Sequence, residues 1–261
     1  MAHFRTAFIS DTHLGTVGCQ AEALHDFLSS NTFTKLYLAG DVIDFWALRR
    51  RSYWPDSHSA VLGALINLAH VGTQIVWVAG NHDEVLRNFL PFRFGDISVM
   101  DSDVHTAADG KAYLVVHGDE FDPVIRGAKW LAVLGDIGYT ALLRLGTWLS
   151  LARRALGFPY WSLSAAVKGK VKAAVNFVGN YRDVVTLAAK RWGVQGVVCG
   201  HIHHAEITHF GDITYINTGD WVESCTAVVE RADGEMQIVW WGTPLVSEER
   251  RQISDKGVVF A

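Results

Sequence analysis

Six short apolar runs recur along the chain, at residues 6–10, 35–39, 75–79, 112–116, 196–199 and 213–217. They are rich in Val, Ile, Leu and Tyr and lack strict apolar–polar alternation. A strand with one wet face alternates, whereas a strand covered on both faces reads as a continuous apolar run. Each run therefore predicts a strand buried on both sides. Between several of them apolar residues recur at helical spacing, most clearly over 20–29 and 57–71. Asp56 or Ser57 is a candidate N-cap for the second helix, and Gly72 a candidate C-terminal stop. Strands alternating with helices predict an α/β layered fold. Residues 225–230 and 235–241, around Ala232-Asp233-Gly234, predict a β-hairpin.

One region breaks this rhythm. Over 124–192 the pattern is helical and apolar, with Trp130, Trp148, Trp161 and Trp192. This stretch holds 11 Lys and Arg against two acids, Asp136 and Asp183, a balance of +9. The rest of the chain carries −13, so the total of −4 hides a basic helical block beside an acidic body. The division expected is a body of 1–123 with 193–261, carrying 124–192 as a helical lid insertion.

With 49% hydrophobic and 19% charged residues, the 261-residue chain has the composition of a globular protein with a substantial core. Three cysteines, Cys19, Cys199 and Cys225, form no CxxC pair, which argues for a reducing compartment and against a zinc–thiolate site. No secretory h-region and no uncharged apolar run of membrane-spanning length is visible. A cytoplasmic location is expected.

The chemistry sits where the strands stop. The first run ends in Asp11-Thr12-His13 and the second in Gly40-Asp41-Val42-Ile43-Asp44. The third ends in Gly80-Asn81-His82-Asp83, the fourth in His117-Gly118-Asp119 and the fifth in Gly200-His201-Ile202-His203. In an open α/β sheet, sites form at the carboxyl ends of strands, so these groups are expected to converge. Carboxylate oxygens, imidazole nitrogens and an amide carbonyl, with no thiol, suit divalent ions such as Mn, Fe, Co, Zn or Mg.

The series DxH, GDxxD, GNHD, HGD and GHxH, in that order, resembles the calcineurin-like metallophosphoesterase family. The resemblance implies a β-sandwich flanked by helices, with two divalent metal ions, foremost Mn²⁺, at one edge. By motif it puts Asp11, His13 and His203 on one ion, Asn81, His117 and His201 on the other, and Asp41 between them. It implies attack on phosphorus by a metal-activated hydroxide. His82 is then the group that protonates the leaving oxygen, with Asp83 setting its tautomer, and Asn81 belongs to the same catalytic motif. Asp44 and Asp119, like Asp83, are candidates to orient ligands or His82, with a structural hydrogen bond the preferred reading for Asp44 and Asp119. His25, His58, His70, His105, His204 and His209 are read as ordinary polar residues.

A helical segment between HGD and GHxH, and the run from Asn217 to Thr226, is similar to the UDP-2,3-diacylglucosamine pyrophosphohydrolase branch of that family. That resemblance implies cleavage of a nucleotide-linked lipid precursor in lipid A biosynthesis, peripheral to an anionic inner membrane. Lys168, Lys170 and Lys172 are candidate phosphate or headgroup contacts. At one position the chain departs from the branch, with His82 where arginine is usual. The alternatives are a phosphoesterase for another nucleotide, phosphodiester or phosphoprotein, and a non-catalytic adaptor on the same fold. No nucleic-acid partner is expected, because the basic residues are interleaved with aliphatics.

Overall fold

In a computed structural model, the structure describes residues 2–121, 181–242 and 259–260. The chain divides into two compact units, one of residues 1–119 and 185–261, the other of 120–184. The site and the fold described below belong to the first.

Two sheets form its frame. The larger has eight strands: β1 (Ala2–Ile9), β2 (Asn31–Ala39), β3 (Gln74–Val78), β4 (Phe92–Phe94), β5 (Ile97–Met100), β11 (Thr226–Glu230), β12 (Met236–Trp240) and β13 (Val259–Phe260). Their order is β13-β12-β11-β1-β2-β3-β5-β4. The smaller has five, in the order β6-β7-β8-β10-β9, from β6 (Asp103–Thr106), β7 (Ala112–Val115), β8 (Gly196–Cys199), β9 (Glu206–Phe210) and β10 (Ile213–Asn217). β1, β2 and β3 run parallel, as do β7 and β8. The predicted hairpin is the antiparallel pair β11–β12.

The absence of alternation in the strands has a direct cause. In β1, Ala7 and Ile9 pack on one side with Leu24, Phe27 and Leu28 of α1 (Ala21–Ser30) and Val61 and Leu65 of α3 (Asp56–His70). Phe8 points the other way, into a second core with Tyr37, Val78, Val115, Val198 and Ile216 contributed by both sheets. Both faces of the strand are therefore dry. The two helices present apolar residues at helical spacing to one side. α3 ends as predicted at Gly72, whose φ of +101° admits glycine readily. Thr73 N–H donates to Leu68 C=O at 2.9 Å and Gly72 N–H to Ala69 C=O at 3.0 Å, a Schellman closure. Neither candidate N-cap is used: Pro55 precedes the helix and Asp56 lies in its first turn.

The body holds elements the pattern did not announce. These are α2 (Phe45–Arg50), a 3₁₀ turn over Glu84–Phe89, and strands β4, β5, β6 and β9. Most are too short for a period to register. Of the predicted basic helical block, residues 181–192 are helical, and 124–180 lie outside the described residues.

Candidate metal centre

Five strand ends meet: those of β1, β2 and β3 from the large sheet, and those of β7 and β8 from the small one. Parallel pairing continues past the strands and carries the loops side by side. Asp11 N–H donates to Gly40 C=O, His13 N–H to Asp41 C=O and Gly200 N–H to His117 C=O, all at 3.0 to 3.1 Å. Asp11, His13, Asp41, His201 and His203 all adopt positive φ, between 48° and 73°. Among the described non-glycine residues only Cys225 shares that region. Left-handed backbone disfavours side chains, so its concentration at one spot marks a constraint stronger than local preference. The motif glycines answer another demand. A Cβ on Gly40 would clash with the His117 ring and its Cβ, and one on Gly80 would meet the Asp41 carboxylate and backbone.

The side chains form a continuous set of contacts. His203 Nε2 lies 3.1 Å from Asp11 Oδ1 and 3.4 Å from His13 Nε2. Asp41 Oδ2 lies 3.9 Å from His13 Nε2 and 3.2 Å from His117 Nε2. His117 Nε2 is also 3.1 Å from Asn81 Oδ1. The His201 ring stands edge-on to that of His117, with centroids 5.2 Å apart. Asp41 thus sits between a group of Asp11, His13 and His203 and a group of Asn81, His117 and His201. The structure brings together all seven residues that the motifs single out.

The lone pairs are arranged for a cation. Asp11 Oδ2 accepts from His201 N–H at 3.0 Å and from the Ser10 hydroxyl. Asp11 Oδ1, also buried, has no backbone or hydroxyl donor and faces the His203 and His13 imidazoles. Asp41 Oδ1 accepts from His82 N–H at 2.7 Å, leaving Oδ2 toward the histidines. His117 Nδ1 donates to Ala39 C=O at 2.9 Å and His13 Nδ1 to Asp44 Oδ2 at 3.2 Å. Each ring's Nε2 is then the nitrogen turned toward the site, the one a metal would take in place of a proton. Burial opposes the charge on Asp11, but His203, His117 and His13 outweigh it and hold the carboxyl far below the ordinary range. Burial likewise opposes charge on Asp41, yet His117 and His82 bring it to about 2. Burial works against a charged His203 too, and Asp11 raises it to about 9. Without a metal, protons fill the positive role that the carboxylates demand.

The pairing expected between Asp83 and His82 is not the one found. Asp83 faces the other way, accepting from Gly80 N–H, Val42 N–H at 2.9 Å and Trp77 Nε1–H at 3.0 Å. It pins the two loops together, and burial beside Asp41 pushes its carboxyl up to about 6. His82 Nδ1 instead lies 2.9 Å from Asp44 Oδ2. Asp44 also contacts His13 and caps α2 by accepting from Ala47 N–H at 2.6 Å. Burial opposes a charged His82, but Asp44 and Asp41 raise its pKa. Asp119 is taken by Arg87, two bonds of 2.8 Å.

A family model for calcineurin-like phosphoesterases matches residues 4–205. The chain belongs to that family. It is a metal-dependent hydrolase. It is 30% identical over 121 residues to the UDP-2,3-diacylglucosamine hydrolase of Porphyromonas gingivalis, 43% of this chain and 45% of that protein. To the enzyme of the same name from Nitrosococcus oceani it is 28% identical over 223 residues, 78% of this chain and 81% of that one. Among solved structures, zinc-bound Vps29 of Entamoeba histolytica matches with a TM-score of 0.47 and 11% identity over 89% of each chain. No helix among the described residues is long and apolar enough to cross a membrane.

Lys168, Lys170 and Lys172 lie outside the described residues. Two residues beside the metallophosphoesterase site escaped the motifs. Trp46 packs its ring on His82, centroids 4.3 Å apart, and Arg87 ties the loops after β3 and β7 through Ala79 C=O and Asp119. The signal for Trp46 was its place on the first helical turn after GDxxD. Nothing local in the sequence pairs Arg87 with Asp119.

Proposed function

We propose that this metallophosphoesterase binds two divalent ions and hydrolyses the pyrophosphate of UDP-2,3-diacylglucosamine or a similar nucleotide-linked lipid precursor. The observation that carries the reading is the convergence of Asp11, His13, Asp41, Asn81, His117, His201 and His203. Asp11, His13 and His203 are the set for one ion, Asn81, His117 and His201 the set for the other, and Asp41 is shared. The mixed carboxylate, imidazole and amide donors suit Mn²⁺. Two such ions supply Lewis acidity toward phosphoryl oxygens and an activated water near neutral pH.

The chain's own groups do the rest. Asp44 orients His13 through Nδ1 and raises the pKa of His82. His82 donates its proton to the oxygen that leaves phosphorus, opposite the incoming water. Trp46 covers one face of that imidazole and fixes where it can reach. The substrate assignment draws on the relatives named UDP-2,3-diacylglucosamine hydrolase. It brings with it a place of action at the cytoplasmic face of the inner membrane, with 124–192 acting as a basic lid.

The test is turnover of acylated UDP-glucosamine with Mn²⁺ in ¹⁸O-water. Attack at the α-phosphate puts the label in UMP. Label in the sugar phosphate refutes that direction of attack, and no cleavage refutes the substrate. A second reading is favoured by His82, which stands where the lipid branch usually has arginine. Under it the substrate is another nucleotide, phosphodiester or phosphoprotein. ADP-ribose, a cyclic dinucleotide and a phosphopeptide in the same assay separate the two.

A further inference from the structure

A cavity of about 280 Å³ opens beside His82, away from the ligand cluster. Phe45, Trp46, Arg49, Val85 and Arg87 line it together with His82. Phe45, Trp46 and Arg49 share one face of α2, because residues three and four apart on a helix are neighbours. That face is fixed to the reaction centre at three points. Asp44 caps the helix and touches both His13 and His82, Phe45 N–H donates to His82 C=O at 3.1 Å, and Trp46 packs on the His82 ring.

The two arginines of the cavity are in different states. Arg87 is committed, with two bonds to Asp119, one to Ala79 C=O and a 3.0 Å pair with Asp101. Arg49 has no hydrogen-bond or ion-pair partner among the described residues. It heads the triplet Arg49-Arg50-Arg51, all exposed, and it is the member of the triplet that lines the cavity. The cavity's carboxylate, Glu84, is not free. A guanidinium without a partner, held by a short capped helix at the rim of a partly apolar pocket, is built to fork onto a phosphoryl group. The cavity has room for such a group and part of what it carries, not for a whole lipid-linked nucleotide.

We propose that Arg49 is a specificity-determining residue that takes the second phosphoryl group of a diphosphate substrate, on the leaving-group side of His82. The proposal rests on the hydrolase reading for the role of His82, and it selects diphosphate esters over simple monoesters. A phosphoryl group held beside Asp41 would have His82 within reach, since His82 Nε2 lies 4.0 Å from Asp41 Oδ2. The next phosphoryl along the chain of the substrate then falls at the α2 face.

Calorimetric titration of the Mn²⁺-loaded full chain with UMP and UDP tests this without using turnover. The intact protein should prefer UDP. Arg49→Ala should cut that preference about tenfold, equivalent to about 1.4 kcal/mol, and Arg49→Lys should restore part of it. Arg50→Ala and Arg51→Ala should leave the ratio unchanged. No preference in the intact protein, or an unchanged ratio in Arg49→Ala, overturns the proposal. So does an equal drop in Arg50→Ala, which would mean a diffuse field rather than a contact. Sedimentation with phosphatidylglycerol vesicles separates a lipid headgroup from a substrate phosphate. Loss of vesicle binding in Arg49→Ala at constant UDP affinity overturns the proposal in favour of the membrane. Failure of Mn²⁺-dependent turnover is a separate result and bears on the hydrolase reading alone.

Discussion

Two buried polar clusters lie in the same β-sandwich, built from the same residue types and to opposite rules. Around Glu230 everything is spent. Its Oε2 meets His105 Nε2 at 2.7 Å, and its Oε1 accepts from Ala108 N–H at 2.8 Å and from Arg5 at 2.5 Å. Nearby, Tyr37 donates to Asp103 at 2.7 Å, and the rings of Phe8 and Tyr37 stand edge-on to His105. None of these residues has positive φ. At the strand ends the reverse holds: Asp11 Oδ1 meets imidazole nitrogens alone, His203 Nε2 at 3.1 Å and His13 Nε2 at 4.0 Å, and five of the candidate ligands sit in left-handed backbone. Burial and residue type do not separate a site from a scaffold. Carboxylate oxygens and imidazole nitrogens turned toward one another on strained backbone do, because folding alone would not retain them.

The sharpest way to break the comparison is Asp41→Asn. The amide keeps an oxygen for His82 N–H but removes the shared anionic oxygen. Turnover should fall by at least about three orders of magnitude. The rise in melting temperature that Mn²⁺ gives the unaltered protein should vanish, while the metal-free melting temperature changes little. Inductively coupled plasma mass spectrometry and scanning calorimetry read the two. Retained metal with lost activity would mean that Asp41 acts in chemistry rather than in binding.

His82→Ala comes next. Loss of a positioned acid costs about 10²–10⁴-fold in rate. The loss should be large for a sugar-phosphate leaving group and small for p-nitrophenolate, which leaves without a proton. Metal content should hold. A uniform loss on both substrates would make His82 a phosphate contact rather than the acid.

That the seven candidate ligands converge was legible because they follow successive strand ends, most of them beside a glycine, in one fixed order of five motifs. The long buried strands were legible for the same reason that both their faces are dry. What surrounds the ligands was not. Asp83 follows His82 directly, and neighbours in sequence point apart, so adjacency misled. Its true partners, Val42 N–H and Trp77, come from other strands. Asp44, a candidate to orient ligands or His82 from its place in GDxxD, does touch both His13 and His82. His105, read as an ordinary polar residue, is buried against Glu230, a partner 125 positions away. β4, β5, β6 and β9 are three to five residues long and carry no elbow chemistry.

The scaffold cluster can be tested by pH. Burial opposes the charge on Glu230, but bonds from His105, Thr6 and Ala108 bring its carboxyl from 4.5 down to about 2. A depressed folded-state value stabilises the fold above pH 4.5, and that contribution drains as pH falls toward 2. The contribution is on the order of 3 kcal/mol. Glu230→Gln should therefore flatten the acid limb of stability between those values, measured by urea melts at several pH values. Turnover per folded molecule should not change. A change in turnover would join the two clusters that the structure keeps apart.

The smallest effect is expected where the clusters' rules meet, at Ser10. Its hydroxyl donates to Asp11 Oδ2, lies 2.6 Å from Thr218 Oγ1 and leaves Oδ1 to the imidazoles. Ser10→Ala lets the carboxylate turn about its last bond while His201 N–H still holds Oδ2 at 3.0 Å. Groups that orient a ligand are worth about 10–100-fold in metal affinity, and one remaining bond places this case near tenfold. Mn²⁺ titration should show the weakening, with kcat recovered at saturating metal. Unchanged affinity would mean that strained backbone and the His201 amide alone aim Asp11, and that the hydroxyl network behind it belongs to the scaffold.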